Sequence, residues 1–387
     1  MQVEVNQMKC PVFKQCGGCS YQHNDYPAYL DKQQNKLHDL LSSFAQVRPI
    51  LAMKDPFYYR NKVQAVVSVT PKGQVITGNY KEQSHKVVSV DHCLIEDKTA
   101  QAIIHSVRQL IPSFKWTVYN EDAQRGLIRH ILVRTGYKTG EVLLVIVVAD
   151  KMVPGKANFV KAIRKKHPEI VGVVFNLNER KTSMVLGPKD ISFSGKNHLY
   201  DELLEKKYRL SAGSFYQVNP VQTEVLYRTA IDLAQLKPSD VVIDAYSGIG
   251  TIALSLADNV KQVYAVESNR EAVRDAIFNA KLNNVTNVQF FHGDATEWIH
   301  HLPIKEKDID CLIVDPPRAG CEEAFLKTVE TIKPQRMIYV SCNPETLKRD
   351  LEILSKTFHV EAIQPVDMFP WTEHVETVVL MSREVIY

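Results

Sequence analysis

The feature that most constrains the fold is a regular alternation of apolar strand-like and amphipathic helix-like segments from about residue 221 onward. VQTEVLYRTAIDLAQL has a helical period, VVIDAY reads as strand, GTIALSLA as helix and QVYAVES as strand. REAVRDAIFNAKLNN then reads as helix and NVQFFHGD as strand, and DCLIVDPP, RMIYVSC and ETVVLMSRE continue the strand series. Helices that return the chain to successive strands build a largely parallel sheet covered on both faces. Residues 211–387 are therefore expected to form an α/β domain of Rossmann-like type.

The rhythm upstream is different. NKVQAVVSV, QVITGNY and KVVSV are short β-rich runs separated by PKG and polar turns. A helix-like stretch covers 97–110, and ILVRTG with EVLLVIVVA reads as a hairpin around Tyr137–Thr139. KANFVKAIRKKHPEI has the pattern of a basic amphipathic helix, and the apolar residues at 170–176 and TSMVLG at 182–187 read as strands. Residues 51–210 are thus expected to be a central α+β domain. Residues 1–50 combine a Cys- and Gly-rich loop with a helix over 26–41. That helix carries Tyr26, Leu30, Leu37 and Leu41 on its apolar positions and Pro27 in its first turn.

A chain of 387 residues fits about two or three domains. Its net charge of +3 does not by itself argue for a nucleic-acid partner. No apolar run reaches the length of a membrane span, and the amino terminus has no apolar core followed by a small-residue cleavage site. Three of the seven cysteines, Cys10, Cys16 and Cys19, lie close together. In a reducing compartment such spacing reads as metal binding or catalysis rather than disulfides, so a cytoplasmic location is expected.

DAYSGIG follows the strand VVID and precedes a helix. Tyr246, Gly248 and Gly250 would form a tight loop where backbone approaches a ligand. Glu267, ending the next strand, can accept hydrogen bonds from ribose hydroxyls, and Asp294 after the third strand could orient an adenine. The pattern lacks the third glycine of the dinucleotide fingerprint, which favours S-adenosylmethionine over a pyrophosphate cofactor. Cys342 comes immediately after RMIYVS, followed by Asn343 and Pro344 before a helix. Asp315 likewise ends a strand, ahead of Pro316, Pro317 and Arg318. Residues just beyond the carboxyl ends of strands face the ligand crevice of such a sheet. Cys342 therefore reads as a nucleophile, whereas Cys311, at the start of a strand, reads as packing.

Taken together, SCNPETLKRD, DPPRAG, SFYQVNP at 214–220 and FPWTEHVET at 369–377 resemble the uracil-5-methyltransferases of ribosomal and transfer RNA, over essentially the whole chain. The resemblance implies that Cys342 is the nucleophile and Glu376 the base, with Glu373 its neighbouring rival. It implies uracil and cofactor contacts around Gln217 and Asp315. Thiolate addition at carbon 6 of uracil would make carbon 5 nucleophilic, and a base must then remove the carbon-5 proton. Four cysteine thiolates fit either zinc or a four-iron, four-sulfur cluster. The resemblance favours the [4Fe-4S] cluster and supplies Cys93 as its fourth ligand.

The RNA surface is expected to include Arg60, in the run Tyr58 to Lys62, together with Arg125 and Arg129, since arginines bind phosphates and stack on unpaired bases. The chain starts almost directly at Cys10, without the amino-terminal β-barrel of many relatives, which fits a shorter ribosomal-RNA branch. The reading is a monomeric enzyme that forms 5-methyluridine in 23S ribosomal RNA or a precursor particle, with neither DNA nor a membrane as partner. The alternatives are a transfer-RNA T-loop enzyme and a noncatalytic RNA-binding assembly factor. A DNA cytosine methyltransferase would present Pro-Cys, not the Ser-Cys-Asn-Pro found here.

Overall fold

The structure is a computed structural model that describes residues 9–81, 84–181, 184–300 and 309–383. Along the chain, α1 (Phe13–Cys16) and α2 (Tyr26–Leu41) precede β1 (Lys62–Val69), β2 (Val75–Tyr80) and β3 (Val87–Ser89). Helix α3 (Lys98–Ser113) leads to β4 (Ile128–Thr135) and β5 (Val142–Val148), followed by α4 (Lys156–Lys166), β6 (Ile170–Leu177) and β7 (Lys189–Gly195). A two-stranded hairpin, β8 (His198–Leu203) and β9 (Lys206–Ser211), precedes α5 (Pro220–Ala234). Then come β10 (Val241–Ala245), α6 (Thr251–Leu256), β11 (Gln262–Glu267), α7 (Arg270–Leu282) and β12 (Val288–His292). The remainder is α8 (Ala295–His300), β13 (Cys311–Val314), α9 (Glu323–Ile332), β14 (Arg336–Ser341), α10 (Pro344–Leu354), β15 (Phe358–Val366) and β16 (Glu376–Arg383).

These elements fall into two compact units. The first comprises Met1–Asp25, Pro56–Glu202 and Arg209–Gly213. Its sheet has the order β3-β2-β1-β4-β5-β6-β7. Helix α3 places Ala100, Ile103, Ile104, Val107 and Ile111 on one face, the spacing that buries a helical stripe. Together with Phe159 and Ile163 of α4 they pack on Val63, Ala65, Ile131, Val133, Leu144 and Ile146 of the sheet. The expected hairpin between β4 and β5 forms, with Thr135 opposite Val142. Among the described residues of TSMVLG, 184–187 do not form the expected strand. The reason lies in two asparagines. Asn178 Nδ2 donates to the carbonyls of Met184 (2.6 Å) and Val185 (2.9 Å), and the Asn176 amide takes both the N–H and the carbonyl of Gly187. Side-chain amides satisfy groups that a ladder would need, and the strand begins only at Lys189.

The second unit comprises Tyr26–Asp55, Leu203–Tyr208 and Ser214–Tyr387. Its sheet order is β12-β11-β10-β13-β14-β16-β15, parallel from β12 to β14 and antiparallel for β16 and β15. Ile243, Ala245, Leu312, Val314, Met337 and Tyr339 share a core with residues of α2, α8, α9 and α10. Helix α5 packs against β14, β15 and β16, and α7 against β11 and β12. Helix α2 is fixed by buried polar contacts as well as by Leu37 and Leu41. The Tyr26 and Tyr29 hydroxyls donate to the two carboxylate oxygens of Asp367 (2.6 and 3.0 Å), and Gln33 donates to the Thr372 carbonyl (2.7 Å). Among the described residues no helix is long and apolar enough to cross a membrane.

Burial lifts Asp367 to about 6, and the two tyrosine hydroxyls oppose that lift. A carboxyl whose folded value is raised loses stability as the pH climbs from its unfolded value toward the folded one. Tyr29→Phe should therefore cost about 2 kcal/mol at pH 8, where Asp367 is ionised, and less near pH 5. Thermal unfolding of the two proteins at both pH values measures this difference.

Candidate active site

In the second unit the strand order reverses direction between β10 and β13. The carboxyl ends of these two strands, in register through Ala245 and Val314, border the crevice where ligands bind in such sheets. Asp315 follows Val314 directly, and Asp244 lies near the end of β10. Asp244 is fully buried, and its Oδ2 accepts from the Ala253 N–H (3.0 Å). Burial, and then Asp315, push Asp244 well above the usual carboxylate range. Burial pushes Asp315 up to about 7.

The glycine loop closes this end of β10. Tyr246, Gly248 and Gly250 all have left-handed backbone, with φ of 71, 57 and 84°. The two glycines do different jobs. A Cβ on Gly250 would stand 2.9 Å from the Phe290 ring, so glycine there serves close packing. A Cβ on Gly248 would meet no heavy atom within 4 Å, so its backbone borders open space. Glu267 braces the loop: one oxygen accepts from Gly248 N–H (2.9 Å), the other from Asn269 N–H (2.6 Å). The exposed Asp294 uses Oδ1 to accept from the backbone N–H groups of Thr296 and Glu297, at the start of α8. The Tyr246 ring packs on Phe325, 5.6 Å away. An open backbone edge flanked by carboxylates at the ends of β11 and β12 fits a nucleoside-bearing cofactor such as S-adenosylmethionine.

Cys342 follows β14 and is half-buried. Its loop is tightly wired. Ser341 Oγ donates to the Asn343 carbonyl (3.0 Å), and Asn343 caps α10 by accepting from Glu345 N–H (3.2 Å). Asn343 Nδ2 and Thr346 Oγ1 both donate to the Arg318 carbonyl (3.1 and 3.2 Å), tying this loop to DPPRAG. Deeper along α10, Arg349 donates to the carbonyls of Ala319 and Cys321 (3.0 and 3.1 Å). The fully buried Asp350 accepts from Cys321 N–H (2.8 Å) and Tyr339 OH (2.6 Å). Helix α10 thus holds both the cysteine and the segment that follows Asp315.

Glu376 begins β16, opposite Val366, and is 2 % exposed. Its Oε2 has no hydrogen-bond partner among the described residues. Burial first, then Asp315, push Glu376 well above its usual value, while Arg318 pulls it down. Burial first, then Glu376 and Asp315, push the Cys342 thiol up to about 11, and Arg318 again opposes. Cys342, Asp315, Glu376 and Arg318 therefore form one electrostatic group. Glu373 is exposed and acts on His374 instead. Arg318 was not among the residues expected from sequence, although a cation directly after a diproline at a strand end was the available signal. Gln217 is nearly buried, between the exposed Phe215 and Asn219, which caps α5 and donates to the Met368 carbonyl (2.9 Å). Cys311 is fully buried, as its strand position implies.

In the first unit, Cys10, Cys16, Cys19 and Cys93 are free and half-buried. Asn79 Nδ2 donates to Cys16 Sγ (3.3 Å), and the Gln101 amide grips the backbone N–H and carbonyl of Cys93 (2.8 Å each). Burial pushes Cys19 up to about 12, reinforced by Cys16 and Cys10. Cys93 is raised by burial, then by Glu96, and further by Cys19. The four thiols thus feel one another, and four sulfurs are a donor set suited to iron or zinc. Among the described residues, no three His, Cys, Asp or Glu side chains already stand in a metal-holding arrangement.

The three expected RNA arginines differ. Arg125 is exposed and Arg60 half-buried. Arg129 is 2 % exposed; it donates to the carbonyls of Asn178 (2.8 Å) and Arg180 (2.7 Å), pairs with Glu121 (2.9 Å) and lies over the Tyr119 ring. Its guanidinium is committed to the interior of the unit, which corrects its expected place on the RNA surface. The side of a strand is legible from period two, but not which side is covered.

The tRNA (uracil-5-)-methyltransferase family profile matches residues 25–384. The chain belongs to this family. An uncharacterized RNA methyltransferase of Halalkalibacterium halodurans is 42% identical over 379 residues, 96% of this chain and 82% of the relative. One from Clostridium acetobutylicum is 41% identical over 382 residues, 97% and 83% of the two chains. Among solved structures, the tRNA (uracil-54, C5)-methyltransferase of Pyrococcus abyssi, in complex with S-adenosyl-L-homocysteine, superposes with a TM-score of 0.80 at 28% identity, covering 95% of this chain and 86% of that one.

For this uracil-5-methyltransferase family member, the raised Cys342 value implies that only a small fraction is thiolate at neutral pH. Alkylation of Cys342 by iodoacetamide should rise about tenfold per pH unit from 7 to 10. It should level off as the pH passes about 11, where burial and the two carboxylates place the Cys342 thiol. Arg318→Ala should slow it at each pH. Peptide mass spectrometry after timed labelling reads both effects.

Proposed function

We propose that the enzyme methylates carbon 5 of a uridine in 23S ribosomal RNA, forming 5-methyluridine. The observation that carries the chemistry is the burial of Cys342, Asp315 and Glu376 in one electrostatic group, with Arg318 as its cation. S-adenosylmethionine, held by Tyr246, Gly248, Gly250, Glu267 and Asp294, supplies an electrophilic sulfonium methyl when bound. Arg318 favours the thiolate of Cys342, which adds to carbon 6 of the uracil. The electron pair moves to the enolate, and carbon 5 forms its bond to the methyl group as the methyl–sulfur bond breaks and its electron pair stays on sulfur, leaving a neutral thioether. Glu376 removes the carbon-5 proton, the Cys342–carbon 6 bond breaks, and the double bond of the ring returns. Like-charge crowding and burial make Glu376 a stronger base than an ordinary carboxylate once it is ionised. Gln217 can donate to and accept from the uracil edge, and Asp315 accepts from the ring N–H. Arg60 and Arg125 contact the RNA backbone, and the target base leaves its stack to expose carbon 6.

A second reading has a specific observation behind it. The similar Pyrococcus abyssi enzyme is named for uracil-54 of transfer RNA, which favours a transfer-RNA substrate. Cys10, Cys16, Cys19 and Cys93 favour the ribosomal branch, and we infer that they hold a [4Fe-4S] cluster. Methyl transfer needs no redox step, so the cluster's role here is to fasten the core-poor amino-terminal segment.

Methyl-labelled S-adenosylmethionine, with unmodified 23S RNA or transfer RNA as acceptor, tests the reading. Label at a uridine of 23S RNA, lost on Cys342→Ala, is the expected result; label confined to transfer RNA moves the substrate to the second reading. Glu376→Gln should lower turnover by about 10²–10⁴. It should also leave a protein–RNA adduct that survives denaturing electrophoresis, because addition proceeds and elimination does not. Glu373→Gln should behave as wild type. Protein purified without oxygen should carry about four irons and four sulfides per chain, and Cys19→Ser should lose them.

A further inference from the structure

Helices α3 and α4 cover one face of the first unit's sheet, and neither contains an aspartate or a glutamate. At the chain's overall frequency of 44 acids in 387 residues, helices of 16 and 11 residues would carry about three between them. Their cations are Lys98 and Arg108 on α3, and Lys156, Lys161, Arg164, Lys165 and Lys166 on α4. Three of these are already engaged. Lys98 lies over the Tyr58 ring, Arg108 pairs with Asp91, and Arg164 donates to the carbonyls of Ile170 (3.0 Å) and Val171 (3.2 Å). Lys156, Lys161, Lys165 and Lys166 are exposed, as are Lys115 just after α3 and Lys151 ahead of α4. Among the described residues none of these six lysines is paired with a carboxylate. The acids that flank α4 in the chain are turned elsewhere, Asp150 to the Met152 N–H (2.8 Å) and Glu169 to the His167 ring (3.1 Å). Phe159, Val160 and Ile163 point inward, so Lys161 and Lys165, about one turn apart, stand on the outer side of α4. The two helices are joined along this surface. Trp116 Nε1 donates to the Pro154 carbonyl (2.8 Å), the Phe114 and Phe159 rings meet edge to face (5.7 Å), and Lys166 Nζ donates to Gln109 Oε1 (3.3 Å). Folding does not ask for this pattern. Cations in the last turn of α4 suit the helix dipole, but Lys156 opens the helix, where the dipole favours an anion. Lys161 and Lys165 are like charges four residues apart, which weakens a helix standing alone. Both placements become favourable beside an anionic partner.

We propose that the lysine face of α4, with Lys115 and Lys151 beside it, binds the phosphodiester backbone of the RNA substrate. This rests on the RNA-methyltransferase reading and adds a phosphate-binding surface to it. The chain's net charge of +3 conceals the surface, because acids elsewhere offset cations that are here concentrated on one face. Lysine ammoniums on flexible stems meet phosphates as point charges. Such contacts carry no base identity; they hold RNA of any sequence and fix its register.

The test uses the full chain with unmodified 23S RNA and transfer-RNA transcripts, with affinity measured across a salt series and melting measured without RNA. A variant carrying Lys156→Gln, Lys161→Gln and Lys165→Gln should bind about tenfold more weakly at low salt, and its slope of log affinity against log salt should be shallower by about 2–3. Its melting temperature should equal or exceed wild type, because like charges are gone. Arginine at the same three positions should keep affinity and slope. Glutamine at the exposed Lys261, Lys333 and Lys356 of the second unit should leave the slope as it is. A wild-type slope in the α4 variant, or an equal loss in the second-unit control, overturns the surface. Lysine acetylation read by peptide mass spectrometry needs no variant: RNA should protect Lys156, Lys161 and Lys165, and equal labelling with and without RNA overturns the proposal. Unchanged RNA binding together with lost binding to phosphatidylserine vesicles would hand the face to a membrane and overturn it likewise. A wild-type protein with no salt-dependent affinity for either RNA overturns the RNA reading itself, a different failure from that of the surface.

Discussion

The second unit is organised around an electrostatic conflict. Asp315 and Glu376 bury their carboxyl groups near the thiol of Cys342 and raise its proton affinity, Asp315 also raises that of Glu376 and of the buried Asp244, and Arg318 is the opposing cation at Cys342 and Glu376. Packing alone would never select this, since buried like charges cost folding energy and an apolar replacement would be cheaper. The conflict persists because the backbone around it is over-determined. Gly248 N–H is claimed by Glu267, Ala253 N–H by Asp244, and the loop after Asp315 is held by Asn343, Thr346, Arg349 and Asp350. A strained set of titratable groups on a rigid frame is the arrangement in which proton transfers become easy.

Helix α10 has a double task that neither of its motifs shows alone. Its first turn, through Asn343 and Thr346, reaches the Arg318 carbonyl, and its second, through Arg349 and Asp350, reaches the carbonyls and N–H around Cys321. The thiol and the carboxyl of Asp315 are therefore positioned by the same short helix, so their separation is set by one rigid body. Gly320 allows this closeness, because a Cβ there would collide with Arg349 and Asp350.

Much of the second unit was legible because alternation of strands and helices leaves a strong periodic trace, and because Cys342 and Asp315 stand where apolar runs stop. The helix at 26–41 was legible too, yet its partner was not: only the fold shows Tyr26 and Tyr29 meeting Asp367, more than 300 positions away. The strand β15 was passed over because HVEAIQPV mixes charge and proline into its pattern, and its burial comes from tertiary partners, β16 and α5, that the sequence does not show. TSMVLG looks like a strand by composition, but Asn176 and Asn178 capture its backbone groups. Arg129 was misplaced for a related reason: its cationic chemistry is visible in sequence, and the carbonyls of Asn178 and Arg180 that consume it are not. Arg318 was overlooked because its influence acts through space on residues far along the chain.

The position of β16 within its sheet has a temporal meaning. It lies between β14 and β15, two strands that precede it in the chain, and it carries Glu376 at its first position. Asp244, Asp315 and Cys342 are all made before it. During synthesis on the ribosome, a nascent chain holds Asp244, Asp315 and Cys342 before Glu376 is made. Strand β16 must thread between its two neighbours before the set is whole, so on the proposed roles the thiol is made before the group that completes its cycle.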